Sequence, residues 1–382
     1  MPVRATKRGS LRTRLERDCD VLVCGASFAG LAVARELAGS GARVLVIDRY
    51  ELGERQTSAC AMPTTWLRAL GLMGSLRQSF DELVVHTPRG TSHWSLPWSF
   101  STFDYRELCA LLWSQGDCRE AELETATVTG RHGFTVRTDR GELRAPLIVD
   151  ALGWRRVLSN AAAIQPPKAR LSRGLEVHPW GSGEQMELWI DPGYVRAGYS
   201  WSFPAREELR VGVGSFWPAH HVKEPTVRLA GDLGLATERY QGNWIPHQLR
   251  EAVEDGVFFA GDSAGHCLPL TAEGIRTALY FGLACGRELR AVVESRLSRE
   301  QALGRYAAFS AAHAREFRWL LRAQRAVGAL TTTPAVPAMV RLMERPRVAE
   351  WVFNQYLAIA PPTFVRDRQL PLARARLAAA AA

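Results

Sequence analysis

The stretch from Asp20 to Arg49, DVLVCGASFAGLAVARELAGSGARVLVIDR, constrains the fold more than any other part of the chain. It reads as an apolar strand, a glycine turn, a helix-period run and a second apolar strand ending in Asp48. In the turn, Gly25 permits a sharp exit from the strand, and Gly30 permits close helix–strand packing. The helix start then offers free N–H groups and a positive dipole end to a pyrophosphate. Ser27 stands where the usual fingerprint has its second glycine. Its small side chain leaves room for phosphate, and its hydroxyl can donate to it. Asp48 follows Gly30 by 18 residues, where an acid accepts ribose hydroxyls. The glycines alone also suit a tight turn with no ligand. The order of strand, helix, second strand and terminal acid favours a nucleotide.

A second segment says which nucleotide. GVFFAGDSAGHCLPLTAEGIRTAL, from Gly256, places Asp262 at the end of an apolar strand, ahead of a helix expected to begin near Ala272. A carboxylate there suits the hydroxyls of a ribityl chain. A helix N-terminus aimed at a flavin ring would stabilise its anionic reduced form. A nicotinamide dehydrogenase has no need for this second piece, so the pair of segments points to FAD. Only one dinucleotide fingerprint is present. NAD(P)H is therefore expected to visit transiently, or an external electron-donor protein to take its place.

The α/β segments lie at both ends of a strand-rich block. Strand-like runs occur near 82–87 and 91–96, across 123–149 and across 172–216, and a helix is expected in FDYRELCALLWSQ. From 298 onward the pattern is helical, with breaks at Pro334, Pro337, Pro346 and Pro361-Pro362. The fold class expected is α/β, a Rossmann-like FAD-binding domain with an inserted mixed β-sheet substrate domain and a C-terminal helical region. The expected division is a flexible basic arm (1–17), FAD-binding parts (18–80, 101–160, 251–297), substrate-domain parts (81–100, 161–250) and a helical cap (298–382).

These motifs together resemble the flavoprotein superfamily that includes the aromatic hydroxylases and the geranylgeranyl reductases. The markers are GASFAG, Asp48, YRELCALL with Arg106, VDALG at 149–153 and GDSAGHCLPLTAEGI at 261–275. The resemblance implies a cofactor set of Gly25, Ala26, Ser27, Ala29, Gly30, Asp48, Arg49, Arg106, Gly261, Asp262, Pro269, Gly274 and Ile275. Leu152 and Ala272 depart from the usual residues of their motifs, the second standing where the loop usually has glycine. GYSWSFPAREELRVGVGSF, at 198–216, is similar to a segment of the geranylgeranyl reductase branch. That similarity implies a cavity over the flavin lined by Tyr199, Trp201 and Phe203. The same alternation also suits a packed sheet face without ligand. Cys60, in TSACAMPT, matches in part a cysteine of these reductases. It is expected either to donate a proton opposite hydride attack or to be a buried inert thiol. Cys267 should also approach the flavin, and no role is assigned to it.

The function expected is FAD-dependent reduction of C=C bonds in an isoprenoid or other apolar substrate. The alternatives are monooxygenation of an aromatic or polyketide compound, or a flavoprotein acting on another protein. Several classes fall away. Flavin-dependent halogenases need a lysine between the fingerprint and about residue 110, and none stands between Lys7 and Lys168. A net charge of +9 would suit nucleic acid, but 45 of the 48 basic residues are arginine (48 less Lys7, Lys168 and Lys223). Together with the many alanines, that points to a GC-rich genome, and no nucleic-acid motif accompanies it. Seven cysteines without a CxxC pair argue against a disulfide framework or a metal site and for a reducing cytoplasm. No run of 18 apolar residues occurs. The apolar C-terminal helices suit either core packing or peripheral contact with a membrane surface.

Overall fold

A computed structural model describes residues 13–56, 58–115, 121–160 and 171–366. Residues 1–12 of the expected basic arm, and Lys168, lie outside these. The arm is not free to residue 17, because Leu15 is buried and donates its N–H to Arg140 O at 2.8 Å. Arg17–Asp18 then pairs in parallel with Leu143 and Arg144 at the edge of a small four-stranded sheet.

The nucleotide unit is a six-stranded sheet in the order 253–254, 257–259, 147–150, 21–24, 44–48, 121–125. All neighbours are parallel except the 253–254/257–259 hairpin. Val21–Cys24 and Leu147–Asp150 are buried throughout. Their continuous apolar character is what a parallel strand covered on both faces requires. Helix Phe28–Leu37 packs against helix Ile275–Val293, so chain separated by more than 230 residues meets over this sheet.

An eight-stranded mixed sheet forms the second layer, in the order 241–246, 171–177, 209–215, 198–204, 186–189, 76–87, 90–103, 61–63. Strands Leu76–Thr87 and Gly90–Phe103 make a hairpin far longer than the runs expected near 82–87 and 91–96. Its outer face is polar, and its register breaks between the Phe80/Phe100 and Glu82/Ser95 pairs. Pro97 falls in that break, where a missing N–H costs the ladder nothing. The divisions expected at 80 and 100 both fall inside these strands, and residues 61–63, 76–87 and 90–103 all belong to the large sheet.

Helices Arg299–Ala311, Ala314–Leu330, Ala335–Leu342 and Pro346–Ala358 follow, with a short turn of helix at Pro362–Val365; residues 367–382 of the expected cap lie outside the described residues. The first is closed by a capping box between Ser298 and Gln301. Several of the expected proline breaks are starts: Pro334 is an N-cap and Pro346 is the first helical residue, where no N–H is needed.

Candidate active site

The two layers enclose a cavity of about 1760 Å³. One end is the turn after the first strand. Gly25 has φ +115°, and a Cβ at Gly30 would stand 1.8 Å from Gly25 O, so the turn closes only on glycine. Ala26, Ser27 and Ala29 border the cavity, while Gly25 and Gly30 sit behind them in the turn. No side chain caps helix Phe28–Leu37, so its positive end opens onto the cavity. Asp48 borders the same space and accepts from Ala26 N (2.8 Å) and Tyr50 N (3.0 Å). A carboxylate has about four acceptor positions, so two such bonds leave capacity for ribose hydroxyls. Arg49 also borders the cavity, its guanidinium 4.8 Å over the Tyr50 ring.

The second segment faces this turn. Gly261, Asp262, Cys267, Gly274 and Ile275 border the cavity, and Pro269 is buried behind them. Burial raises Asp262 to about 6, with Arg250 partly offsetting it. The hydrogen bonds among the described residues give its carboxylate no donor. A half-buried acceptor facing a cavity without donors suits a polyhydroxylated ligand. The VDALG motif has a different task. Asp150 is fully buried and accepts from Leu152 N, Leu158 N and the Ser263 hydroxyl, tying the middle motif to the second. The long helix starts at Ile275 and not near Ala272. Leu270 and Ala272 take φ of +70° and +51°, which interrupts any earlier helix. Such a conformation costs an ordinary side chain roughly 1–2 kcal/mol, which accounts for the usual preference for glycine at Ala272.

The large sheet supplies the far wall. Tyr199, Trp201 and Phe203 alternate on strand Gly198–Pro204 and all border the cavity, with ring centroids 5.9 and 6.5 Å apart along the row. The Tyr199 hydroxyl donates to Thr271 O at 2.5 Å, fixing the wall to the 270–274 loop. The Trp201 indole lies over Gly174, Gly212 and Gly214, and its Nε1 donates to Glu176 Oε2 at 3.2 Å. Thus the glycines of VGVGS seat this ring.

Besides Gly25, Gly30 and Pro269, which stand behind the wall, two expected site residues, Cys60 and Arg106, do not border the cavity. Cys60 is 0% exposed and its side chain belongs to the hydrophobic core, while Ser58, Ala59 and Ala61 form the wall. Its φ of +51° belongs to a turn whose carbonyl accepts from Phe103 N and Arg210 Nη1. Burial pushes its thiol well up, and its place off the cavity wall argues against the expected proton-donor role. Arg106 is exposed and does not border the cavity, its stem packing at Gly53 in the loop beside it. Successive helix residues point about 100° apart, and it is Tyr105 that turns inward, donating to Ser27 Oγ at 3.1 Å.

Sequence reading also missed two polar clusters. Glu273 pairs with Arg276 (2.8 and 2.7 Å) and accepts from the Tyr356 hydroxyl at 2.5 Å, clamping the last long helix onto the second segment. Glu176 is joined to His178, Glu208 and Arg210 beneath the aromatic wall. The sequence signal for the latter was LEVH, which puts two ionisable residues two apart, on one face, at the end of a strand. At the opposite rim Trp319, Met339, Leu342 and Trp351 border the cavity, and both indoles are nearly two-thirds exposed (64% and 65%).

Residues 18–137 match the FAD binding domain family. The chain is 22% identical over 335 residues to digeranylgeranylglycerophospholipid reductase 3 of Methanosphaera stadtmanae, covering 78% of this chain and 83% of the relative. It is 25% identical over 305 residues to the digeranylgeranylglycerophospholipid reductase of Methanocaldococcus jannaschii, covering 70% and 75%. Among solved structures, a geranylgeranyl bacteriochlorophyll reductase-like protein of Thermoplasma acidophilum superposes with a TM-score of 0.77 at 16% identity, over 92% of this chain and 98% of that one. The p-nitrophenol 4-monooxygenase of Pseudomonas putida gives 0.68 at 14%, over 93% and 100%. The fold, the cavity and the matched domain define an FAD-dependent oxidoreductase. Within that class, the chain's similarity runs to the geranylgeranyl reductase-like branch of the aromatic-hydroxylase-like flavoproteins.

Proposed function

We propose that this oxidoreductase saturates C=C bonds in an elongated, isoprenoid-like hydrocarbon. One observation carries the reading: the cavity runs without interruption from the nucleotide turn, past an aromatic wall, to a rim of apolar helices. At about 1760 Å³ it exceeds the roughly 300–1,000 Å³ of ordinary small-molecule sites, leaving room for a dinucleotide and a long second ligand. Two curated relatives carry the name digeranylgeranylglycerophospholipid reductase, which agrees with a substrate of this chemistry.

FAD, when bound, supplies hydride chemistry. The chain's own residues do the rest. The open end of helix Phe28–Leu37 attracts the pyrophosphate; Asp48 and Asp262 accept ribose and ribityl hydroxyls; the start of helix Ile275–Val293 favours negative charge on the ring. Tyr199, Trp201 and Phe203 exclude water and hold the alkene in place. NAD(P)H or a donor protein reduces the cofactor from outside, since the chain builds one dinucleotide unit.

The rim suggests where the substrate is met. Exposed Trp319 and Trp351 stand with Met339 and Leu342, and Arg318, Arg322, Arg345 and Arg347 are exposed on the same helices. Aromatic and aliphatic tips flanked by arginines suit peripheral contact with an anionic lipid surface. No helix among the described residues is long and apolar enough to cross a membrane.

The test is anaerobic. Reduced holoenzyme mixed with a geranylgeranyl-chain lipid should be reoxidised, and the lipid should gain two hydrogens per bond by mass spectrometry. Substrate-stimulated oxygen uptake with gain of one oxygen atom, and no saturation, would overturn the reading in favour of a hydroxylase.

A further inference from the structure

Saturating a C=C bond needs a proton as well as a hydride, and Cys60 lies in the core. The other proton donors near the aromatic wall are committed elsewhere or made weaker acids by burial. The hydroxyls of Tyr199 and Tyr356 donate to Thr271 O and Glu273, and burial pushes the Cys267 thiol well up. Glu176 differs. It borders the cavity beside Trp201, is only 3% exposed, and its second oxygen accepts from His178 Nε2 at 2.9 Å. His178 is likewise buried, and its Nδ1 lies 3.3 Å from Glu208 Oε1. The Glu208 side chain keeps 20% of its exposure and so reaches solvent. Arg210 and Arg239 hold it at 3.0 and 3.2 Å. A carboxyl, an imidazole and a second carboxyl thus run from the cavity wall to the surface.

We infer that Glu176 and His178 form a proton relay serving this site, an inference that rests on the alkene-reductase reading. The π bond breaks and two C–H bonds form. The hydride comes from reduced FAD, which is oxidised as the alkene is reduced. The second hydrogen leaves the Glu176 carboxyl as a proton. His178, as imidazolium, gives its Nε2 proton to the carboxylate and takes another at Nδ1 from the facing Glu208 carboxyl, which draws it in turn from water. The charges around His178 suit the task. Burial pulls it down, but Glu176 and Glu208 on its two sides outweigh this and hold it above the ordinary imidazole range. Burial opposes the ionised form of Glu208, yet His178 and Arg210 bring it down to about 2, so it remains a carboxylate facing the ring.

The experiment compares the parent with Glu176→Gln and His178→Gln, with FAD affinity and thermal unfolding as controls for folding. In flavin-free protein, the His178 imidazole followed by NMR from pH 5 to 9 should titrate above an ordinary histidine, and Glu176→Gln should lower its midpoint. In the anaerobic assay, each variant should bind FAD like the parent and saturate the lipid roughly 10²–10⁴-fold more slowly, the range for losing a positioned acid. An unchanged His178 titration in Glu176→Gln overturns the relay. Parent-like rate and pH profile in both variants also overturn it, leaving the reductase reading intact. Failure of the parent to saturate any polyprenyl lipid overturns the reductase reading, and the relay with it.

Discussion

The indole of Trp201 rests on Gly212: a Cβ at residue 212 would stand 2.3 Å from ring carbon Cζ2 and 2.7 Å from Leu175 O. The main-chain oxygen cannot move aside cheaply, so an added methyl must displace both strand and ring. Gly212→Ala should therefore cost about 1–3 kcal/mol of stability, the range for overpacking. It should also shift tryptophan fluorescence while sparing FAD binding. Unchanged denaturation midpoint and emission would show that the ring is seated elsewhere.

Trp201→Ala removes the ring and leaves its seat. The residue belongs to the large sheet, so FAD affinity should stay at the parent value. Turnover should fall on the order of a hundredfold, because a chain no longer pressed against a wall is displaced by about an ångström from its reacting geometry. Steady-state assays beside a flavin titration separate the two effects. Equal loss of both would place Trp201 in the nucleotide site.

Asp262 should make flavin binding depend on pH. Its pKa in the folded protein, about 6, lies above the ordinary carboxylate value. For flavin-free protein, its contribution to stability is fully present below about pH 4 and is lost as pH rises through about 6. Ribityl hydroxyls donate to the ionised form, so flavin affinity has the opposite slope. The dissociation constant should rise by up to about tenfold per pH unit as pH falls below 6, one proton being released on binding. Asp262→Asn should flatten that slope. Asp262→Ala should weaken binding by roughly 1.5–3 kcal/mol at neutral pH. A pH-independent dissociation constant in the parent between pH 5 and 8 would rule out this role.

Cys60→Ser distinguishes a core thiol from a proton donor. The new hydroxyl is buried in a site built for sulfur, so unfolding should come about 1–3 kcal/mol sooner. Alkene saturation by the folded protein should keep the parent rate. A hundredfold loss with intact flavin would return Cys60 to the chemistry.

What the sequence disclosed was local. Gly25, Gly30 and Asp48 carry their meaning in spacing along one strand–helix–strand unit, and the 261–275 motif does the same. The alternation of Tyr199, Trp201 and Phe203 was legible because a strand repeats every two residues. The Glu176 cluster was not, because it depends on register. Glu176 and Trp201 each lie opposite Gly212, from neighbouring strands on its two sides. Nothing in the spacing of 176, 201 and 212 announces that. Cys60 misled for the same kind of reason: a φ of +51° at one residue decides which way its side chain points. Arg106 was one residue away from Tyr105, and on a helix that is a different face.

The strand order of the nucleotide sheet also sets a clock on how the protein is made. Strand 21–24 lies beside 147–150, which in turn lies beside 257–259, and helix Phe28–Leu37 packs on helix Ile275–Val293. The first part of the nucleotide unit to leave the ribosome therefore lacks its partner helix until about 240 further residues have been added, from Leu37 to Ile275. At roughly 5–20 residues per second that wait is on the order of ten seconds or more. During it, the apolar strands around Gly25 have no complete sheet to join. Nascent chains stalled before Ile275 should be the aggregation-prone species, and flavin should be recognised only by a chain extended beyond that residue.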